Sequence, residues 1–120
     1  KRLQRGGVVG ILPDQQPKQG DGEFAPFFGR EAYTMSLLPR LAERSGAAVV
    51  FAWCERVGPL RFALHIAPAP PAIADADTLT ATAALNAEVE AIARRDPAQY
   101  QWTYKRWTLH PSGNPYHNPY

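Results

Sequence analysis

The 120-residue chain has the size of one ordinary domain, and its composition is globular, with 45% apolar and 20% charged residues. Its 12 prolines and 9 glycines argue against a helical bundle or a coiled coil, and its single cysteine excludes a disulfide framework or a Cys-rich zinc site. A net charge of +2 is too small to indicate nucleic-acid binding on its own, and the longest apolar run, Ala47–Cys54, falls well short of the roughly 20 residues that span a bilayer.

The first residues have the pattern of a helix end. Lys1, Arg2 and Arg5 place positive charges where the carbonyl groups of a helix collect, and Gly6 and Gly7 follow as a cap. No long apolar region with a cleavage site comes after them, so the pattern is not that of a signal peptide. Because the chain opens on what reads as the end of a helix, we expect it to be a piece of a longer protein.

Two contrasting segments come next. Gly7–Leu12 is short, apolar and rich in β-branched residues, which predicts a strand buried on both faces, as in a parallel sheet. From Pro13 to Gly29, prolines and glycines interrupt every period, which predicts a long loop. Loops of this length are uncommon in compact domains and are often functional.

A helix is predicted from about Glu31 to Ser45, with Gly46 at its end. Pro39 lies inside this range and leaves two alternatives. Either Ser36 caps a helix whose first turn holds the proline, or a longer helix is kinked at the proline.

Two strands are predicted after this helix. Ala47–Cys54 is apolar throughout, which predicts a second buried strand. Gly58-Pro59 then turns the chain, and Leu60–Ile66 alternates in the manner of a half-buried strand. We expect the two strands to form an antiparallel pair.

The remaining pattern completes the fold class. Pro68–Pro71 predicts a rigid connector, and a helix follows from Asp77 or Thr78 to about Arg95. The order β, α, β, β, α predicts an α/β fold, a partial mixed sheet flanked by helices with an antiparallel strand pair.

The first candidate site is the polar group Asp14, Gln15 and Gln16. These residues come directly after the first predicted strand, and in open α/β sheets ligands bind beyond the carboxyl ends of the strands. One carboxylate and two amides there could orient a polar substrate. Alternatively, Asp14 takes a turn role after Pro13 and bonds nearby backbone amides.

Two aromatic stretches are further candidates. Phe24, Phe27 and Phe28 could line a lipid or acyl groove, or they could fold back over the core. Tyr100–Trp107 interleaves four aromatic residues with two cations, a pattern that suits a membrane interface, nucleic acid, or an amphipathic element packed on the sheet. The low net charge and the absence of a basic stripe argue against nucleic acid.

The histidines and the cysteine offer little catalytic signal. None of His65, His110 and His117 is followed four or five residues later by an acidic residue. We therefore expect His65 to be a strand residue with a structural partner and the other two to be solvated. Cys54 lies in a predicted strand with no activating neighbour and is expected to act as a small apolar residue.

Four motifs stand in series along the chain: Gly-Val-Val-Gly-Ile-Leu-Pro-Asp-Gln-Gln at 7–16, Pro-Phe-Phe-Gly at 26–29, Leu-Leu-Pro-Arg-Leu-Ala at 37–42 with Gly-Ala-Ala-Val-Val at 46–50, and Tyr-Gln-Trp-Thr-Tyr-Lys-Arg-Trp at 100–107. This series resembles the bacterial lipid A biosynthesis acyltransferases, the lauroyl/myristoyl acyltransferase family, up to about Trp107. More distantly, the order strand, Pro-acid, loop, helix, strand is similar to the acceptor-binding part of the glycerolipid acyltransferases, whose matching motif is Pro-Glu-Gly-Thr-Arg.

The resemblance implies that residues 1–109 are the C-terminal part of an acyltransferase domain and that residues 110–120 are an irregular, proline-rich tail. Members of the family act on the cytoplasmic face of the bacterial inner membrane. They move a fatty acyl chain from acyl carrier protein or acyl-CoA to a hydroxyl of a lipid A precursor, without a metal or another cofactor. Their general base is a histidine followed four residues later by Asp or Glu. This chain has no such pair, which the resemblance places before its first residue.

The resemblance also implies seven substrate-binding residues and no catalytic one within the chain. They are Asp14, Gln15 and Gln16 around the acceptor, Phe27 and Phe28 beside the acyl or lipid entry, and Arg30 and Arg106 as alternative sources of the cation that Asp-Gln-Gln lacks. Two other hypotheses stay open: a non-enzymatic lipid or membrane-surface binding module of the same fold, and an acyltransferase of this family with another acceptor, such as a glycolipid mannoside.

Overall fold

The computed structural model describes residues 1–120 and contains two antiparallel strand pairs, two α-helices and five short 3₁₀ turns. The elements in chain order are β1 (Gly22–Phe27), β2 (Arg30–Met35), α1 (Leu37–Ser45), β3 (Val50–Gly58), β4 (Arg61–Pro68) and α2 (Thr78–Arg95). The α/β class and the antiparallel pair formed by β3 and β4 are confirmed. Neither helix combines the length and the apolar character that crossing a bilayer requires.

The first strand pair lies where the sequence predicted a loop and the start of a helix. β1 and β2 pair from Gly22 opposite Met35 to Phe27 opposite Arg30. The turn between them is Phe28-Gly29, and both residues have positive φ, 49° and 74°, which suits a two-residue hairpin turn. The prediction of an uninterrupted loop to Gly29 is therefore wrong, because a tight turn joins two short strands whose inward-facing side chains are buried.

Helix α1 resolves the alternatives at Pro39. The helix begins at Leu37, after Ser36 at the N-cap position, so Pro39 lies in the first turn, where it replaces no helical hydrogen bond. The predicted start at Glu31 is wrong, because residues 31–35 belong to β2. Gly46 ends the helix in the left-handed conformation at φ 62°, with its N–H bonded to the Ala42 carbonyl at 2.9 Å, as predicted.

The β3–β4 pair has one covered face and one exposed apolar face. Phe51 is buried and Trp53 half-buried on the covered face, whereas Val50 and, on β4, Leu64 and Ile66 are exposed on the other. The prediction of a buried strand at Ala47–Cys54 is therefore wrong in two respects. The strand runs from Val50 to Gly58, and one of its faces is exposed. β4 alternates as predicted, and the second edge of β3 pairs with no strand.

The predicted first strand, Gly7–Leu12, does not form. These residues have no regular structure, and Val8, Val9 and Leu12 are exposed. An isolated apolar segment becomes a strand only when a neighbour satisfies its backbone groups, and no strand in this structure pairs with it.

Helix α2 holds the two strand pairs together. Asp77 caps it by accepting a hydrogen bond from the Thr80 N–H at 2.9 Å, and it ends at Arg95 ahead of Asp96-Pro97, as predicted. The core that α2 shares with both hairpins consists of Phe27, Ala32, Ala42, Phe51, Ile73, Leu85 and Val89.

Candidate functional site

A largely apolar cavity of about 320 Å³ lies between the Ile11–Asp14 segment, β3 and the C-terminal end of α2. Its volume is at the lower end of the range for small-molecule sites. Phe51, Trp53, Val89 and Tyr100 contribute to its walls, so the same elements that make the core also shape the cavity.

Acidic residues stand at the wall of this cavity. Asp14 is half-buried there, and Glu55 from β3 and Asp96 at the end of α2 also line the cavity, together with Arg95. The turn after Pro13 brings Asp14 to this position, close enough to Tyr100 for its charge to act on the tyrosine. An apolar cavity with a few polar groups at its wall can hold a long apolar chain and orient a polar group attached to it.

Gln15 and Gln16 do not join Asp14 at the cavity. Gln15 is exposed. Gln16 accepts a hydrogen bond through Oε1 from the Thr108 hydroxyl at 2.8 Å, which ties this segment to the C-terminal part of the chain. Of the three polar residues in the motif, only Asp14 lines the cavity.

The two phenylalanines at the first hairpin turn pack against aromatic neighbours. Phe27 is fully buried, with its ring 5.7 Å from that of Trp107, so the alternative in which the ring folds back over the core describes it. Phe28 is half-buried and packs edge-on against Phe27 at 4.8 Å and against Trp102 at 5.4 Å. Neither residue lines the cavity.

The two candidate arginines lie in opposite environments. Arg30 is exposed, and its guanidinium stands 5.8 Å from the Trp107 ring. Arg106 is only 2% exposed and donates through Nη2 to the Thr34 hydroxyl at 3.0 Å and to Asn86 Oδ1 at 3.1 Å. Of the two cations, the structure exposes Arg30 and buries Arg106 inside the protein.

The sequence did not reveal the buried polar cluster around Arg106. Thr34 and Asn86 are both fully buried, and Asn86 donates through Nδ2 to the Ala25 carbonyl at 3.2 Å and to the Thr34 hydroxyl at 2.8 Å. The available signal was a single amide at position 86, between Leu85 and Val89 on the apolar face of α2, where a polar side chain needs a partner.

A histidine–carboxylate pair was also missed. His65 Nε2 lies 2.9 Å from Glu55 Oε2, and the imidazole stacks on Trp53 with ring centres 5.0 Å apart. The search for an acid a few residues after each histidine could not find this pair, because the hairpin brings it together across the two strands. Counting back from the Gly58-Pro59 turn places His65 opposite Trp53, with Glu55 two residues along the same face. This register would have revealed the pair. An imidazole held by a carboxylate can accept a proton, so the pair is a candidate general base.

Two titrating groups respond to these surroundings. Burial raises the pKa of the Tyr100 hydroxyl, Arg106 opposes this rise and Asp14 adds to it. Burial also acts to raise the pKa of Glu90, but the hydrogen bond from the Phe28 N–H and the contact with Arg94 outweigh it, so the pKa lies below its usual 4.5. No group of three or more His, Cys, Asp or Glu side chains is placed to hold a metal ion.

The structure is that of an α/β protein with a largely apolar cavity and a few polar groups at its walls. Residues 1–108 match the family model of the bacterial lipid A biosynthesis acyltransferases, and the chain belongs to that family. Its function is therefore of the lipid A acyltransferase type, in a family that is associated with membranes in bacteria. No curated protein matches the chain closely enough to count as a relative.

Proposed function

We propose that this chain is the C-terminal part of an enzyme that transfers a fatty acyl chain from acyl carrier protein or acyl-CoA to a hydroxyl of a lipid A precursor. The match of residues 1–108 to the family carries this proposal. The place of action is the cytoplasmic face of the bacterial inner membrane, where both substrates meet.

We propose that the two substrates occupy different parts of the cavity. Its apolar walls, among them Phe51, Trp53 and Val89, suit the acyl chain. Asp14 at the wall suits the polar acceptor, whose hydroxyls can donate hydrogen bonds to the carboxylate. In this arrangement Asp14 orients the acceptor and takes no proton from it.

The reaction itself needs a base. The hydroxyl proton passes to the base as the acceptor oxygen forms its bond to the thioester carbon. The carbon–sulfur bond then breaks, and the protonated base returns the same proton to the departing sulfur, which leaves as a thiol. We infer that the base is the His-x4-acid pair of the family, on a segment outside these 120 residues. The exposed apolar face of β3–β4 and the free edge of β3 provide a surface on which such a segment can pack.

The His65–Glu55 pair is the alternative base within the chain. Glu55 is at the cavity wall, whereas His65 is not, and the carboxylate occupies the imidazole nitrogen that faces it. Removing His65 separates the two alternatives: the external base predicts that transfer survives His65→Ala, whereas an internal base predicts its loss.

The exposed apolar face also favours the second candidate function, a lipid or membrane-surface binding module without enzymatic activity. A module of this kind would co-sediment with lipid vesicles and would show no acyl transfer when joined to the rest of its reading frame. A different acceptor, such as a glycolipid mannoside, would be revealed by offering it beside the lipid A precursor in the same assay.

The role of Asp14 can be tested in the protein encoded by the complete reading frame. Asp14→Asn keeps the size of the side chain and removes its charge, and we expect about a tenfold or greater loss of acyl transfer, because a charge-assisted hydrogen bond to the acceptor is lost. Asp21→Asn, at an exposed carboxylate away from the cavity, is the matched control and should transfer normally. Equal activity of the two variants at equal folded concentration would remove Asp14 from the site.

A further inference from the structure

The guanidinium of Arg106 is buried without an opposite charge. Its side chain is 2% exposed, and none of the ion pairs in the structure includes it. Nη2 donates to two neutral oxygens, on Thr34 and Asn86, whereas Nε and Nη1 are buried with no hydrogen-bond partner. Buried cations are normally paired, so this one is a marked exception.

The same region contains two more donors without partners. The Tyr100 hydroxyl and the Trp107 indole Nε1 are also buried and unbonded, and with Arg106 they account for every such side-chain atom in the protein. All three side chains surround one ring: from the centre of Phe27, the Arg106 guanidinium lies at 4.6 Å, the Trp107 ring at 5.7 Å and the Tyr100 ring at 6.2 Å. The guanidinium and the indole can only donate, whereas the phenol can donate or accept and lies within reach of Arg106. The N–H groups of Arg106 and Trp107 therefore outnumber the acceptors around them.

An oxyanion is the ligand that satisfies such a set. The Nε and Nη1 edge of a guanidinium forms a planar fork that matches two oxygens of a phosphate or carboxylate. A phenol and an indole can each donate one further hydrogen bond to the same group. A neutral ligand would satisfy the donors and leave the buried charge unpaired.

Tyr100 connects this donor cluster with the cavity. Its side chain lines the cavity beside Asp14, and its hydroxyl lies close enough to Arg106 for the guanidinium to act on its pKa. Tyr100 is thus the side chain that belongs to both regions, since neither Arg106 nor Trp107 lines the cavity. Binding at both regions requires that a ligand in the cavity extends its charged end past Tyr100 to Arg106.

We propose that Arg106, together with Tyr100 and Trp107, binds the oxyanionic group, phosphate or carboxylate, of a ligand whose apolar part occupies the neighbouring cavity. The proposal concerns binding alone and stands whether or not the chain takes part in acyl transfer. It assigns the cation to Arg106 and leaves Arg30, which is exposed beside Trp107, outside the site.

The test is a titration of the 120-residue chain with inorganic phosphate at constant ionic strength, followed through the Nε–H signal of Arg106 by nuclear magnetic resonance and through the melting temperature. Sodium acetate in a parallel titration distinguishes carboxylate from phosphate binding, and sodium chloride is the blank. We expect a saturable shift of the Arg106 signal and a higher melting temperature with one of the two oxyanions and not with chloride.

Variants give the proposal a second readout. Arg106→Met removes the charge at similar volume and should weaken oxyanion binding about tenfold or more, whereas Arg40→Met, at an exposed arginine on α1, should leave it unchanged. Should Arg106→Met fail to fold, Tyr100→Phe removes one donor and is expected to weaken binding severalfold. Equal responses to phosphate, acetate and chloride in the wild-type chain would overturn the proposal. Unchanged oxyanion binding in folded Arg106→Met, or in Tyr100→Phe if Arg106→Met does not fold, would do the same.

Discussion

At the scale of single residues, the most unusual feature is the polar cluster inside the core. Thr34 and Arg106 are 72 positions apart, and Asn86 joins them from α2. The sequence could propose Arg106 as a cation, but its burial depends on tertiary packing that no local pattern records. Asp14 does line the cavity, but the strand whose end was expected to place it there does not form, so its position depends on tertiary packing as well. Its role in binding stays a prediction.

Glu90 makes a prediction on pH dependence. Its carboxylate accepts a hydrogen bond from the Phe28 N–H at 2.6 Å and contacts Arg94 at 2.7 Å, so it links α2 to the turn of the first hairpin. Because the pKa is lowered in the folded protein, the stabilisation is present above the ordinary carboxyl pKa of 4.5 and is lost as the pH falls through the folded value.

We therefore expect Glu90→Gln to lower the free energy of unfolding at pH 7 by about 1 kcal/mol, a value reduced for partial exposure, and to make the acid side of the stability curve less steep. Urea unfolding at pH 3 to 7 measures both effects. Glu88→Gln, on the same helix, is the control for loss of charge alone. A Glu90→Gln curve parallel to that of the wild type would contradict the assignment.

At the scale of elements, the first hairpin shows how tertiary context outweighs local propensity. Glu31, Ala32 and Met35 suit a helix, and the sequence predicted one. In the structure the left-handed turn at Phe28-Gly29 starts a return strand, and Ala32 and Thr34 become buried on it. A Phe-Gly turn is a weak hairpin signal, because Asn or Asp ordinarily precedes the glycine.

The second hairpin was easier to predict because its signals agree. Gly58-Pro59 marks the turn, and β4 has the period-two alternation of a half-covered strand. The sequence could not show that one face of this pair is exposed. An apolar run such as the first part of β3 is compatible with a strand buried on both faces and with a strand that exposes one face. The prediction of a strand at Gly7–Leu12 was wrong because no neighbouring strand pairs with this segment.

The turn of the second hairpin contains a strained residue. Leu60 has φ 55°, a left-handed conformation that β-carbon sterics disfavour, and its side chain is 92% exposed. Leu60→Asn should stabilise the chain by about 0.5–1 kcal/mol, because asparagine tolerates this conformation and no packing is lost. Leu60→Ala shortens the side chain without relieving the strain and should change little. Urea midpoints compare the variants, and equal midpoints for Asn and Ala would contradict the explanation.

At the scale of the whole molecule, the two hairpins meet in one core with α2, to which the first contributes Phe27 and the second Phe51. The β3–β4 pair nevertheless leaves an apolar face and the free edge of β3 exposed to solvent. Under the proposed function, this surface is where a segment with the general base would pack. The central claim is therefore that these residues shape the substrate cavity and that the proton acceptor comes from elsewhere.

Acyl transfer from an acyl carrier protein thioester to a lipid A precursor tests this claim most directly. The 120-residue chain and the protein encoded by the complete reading frame are compared, each with and without His65→Ala, and the acylated lipid is quantified by mass spectrometry. The account predicts product only from the complete protein, with or without His65→Ala. Turnover by the 120-residue chain that disappears in His65→Ala would contradict it and would make the His65–Glu55 pair the base.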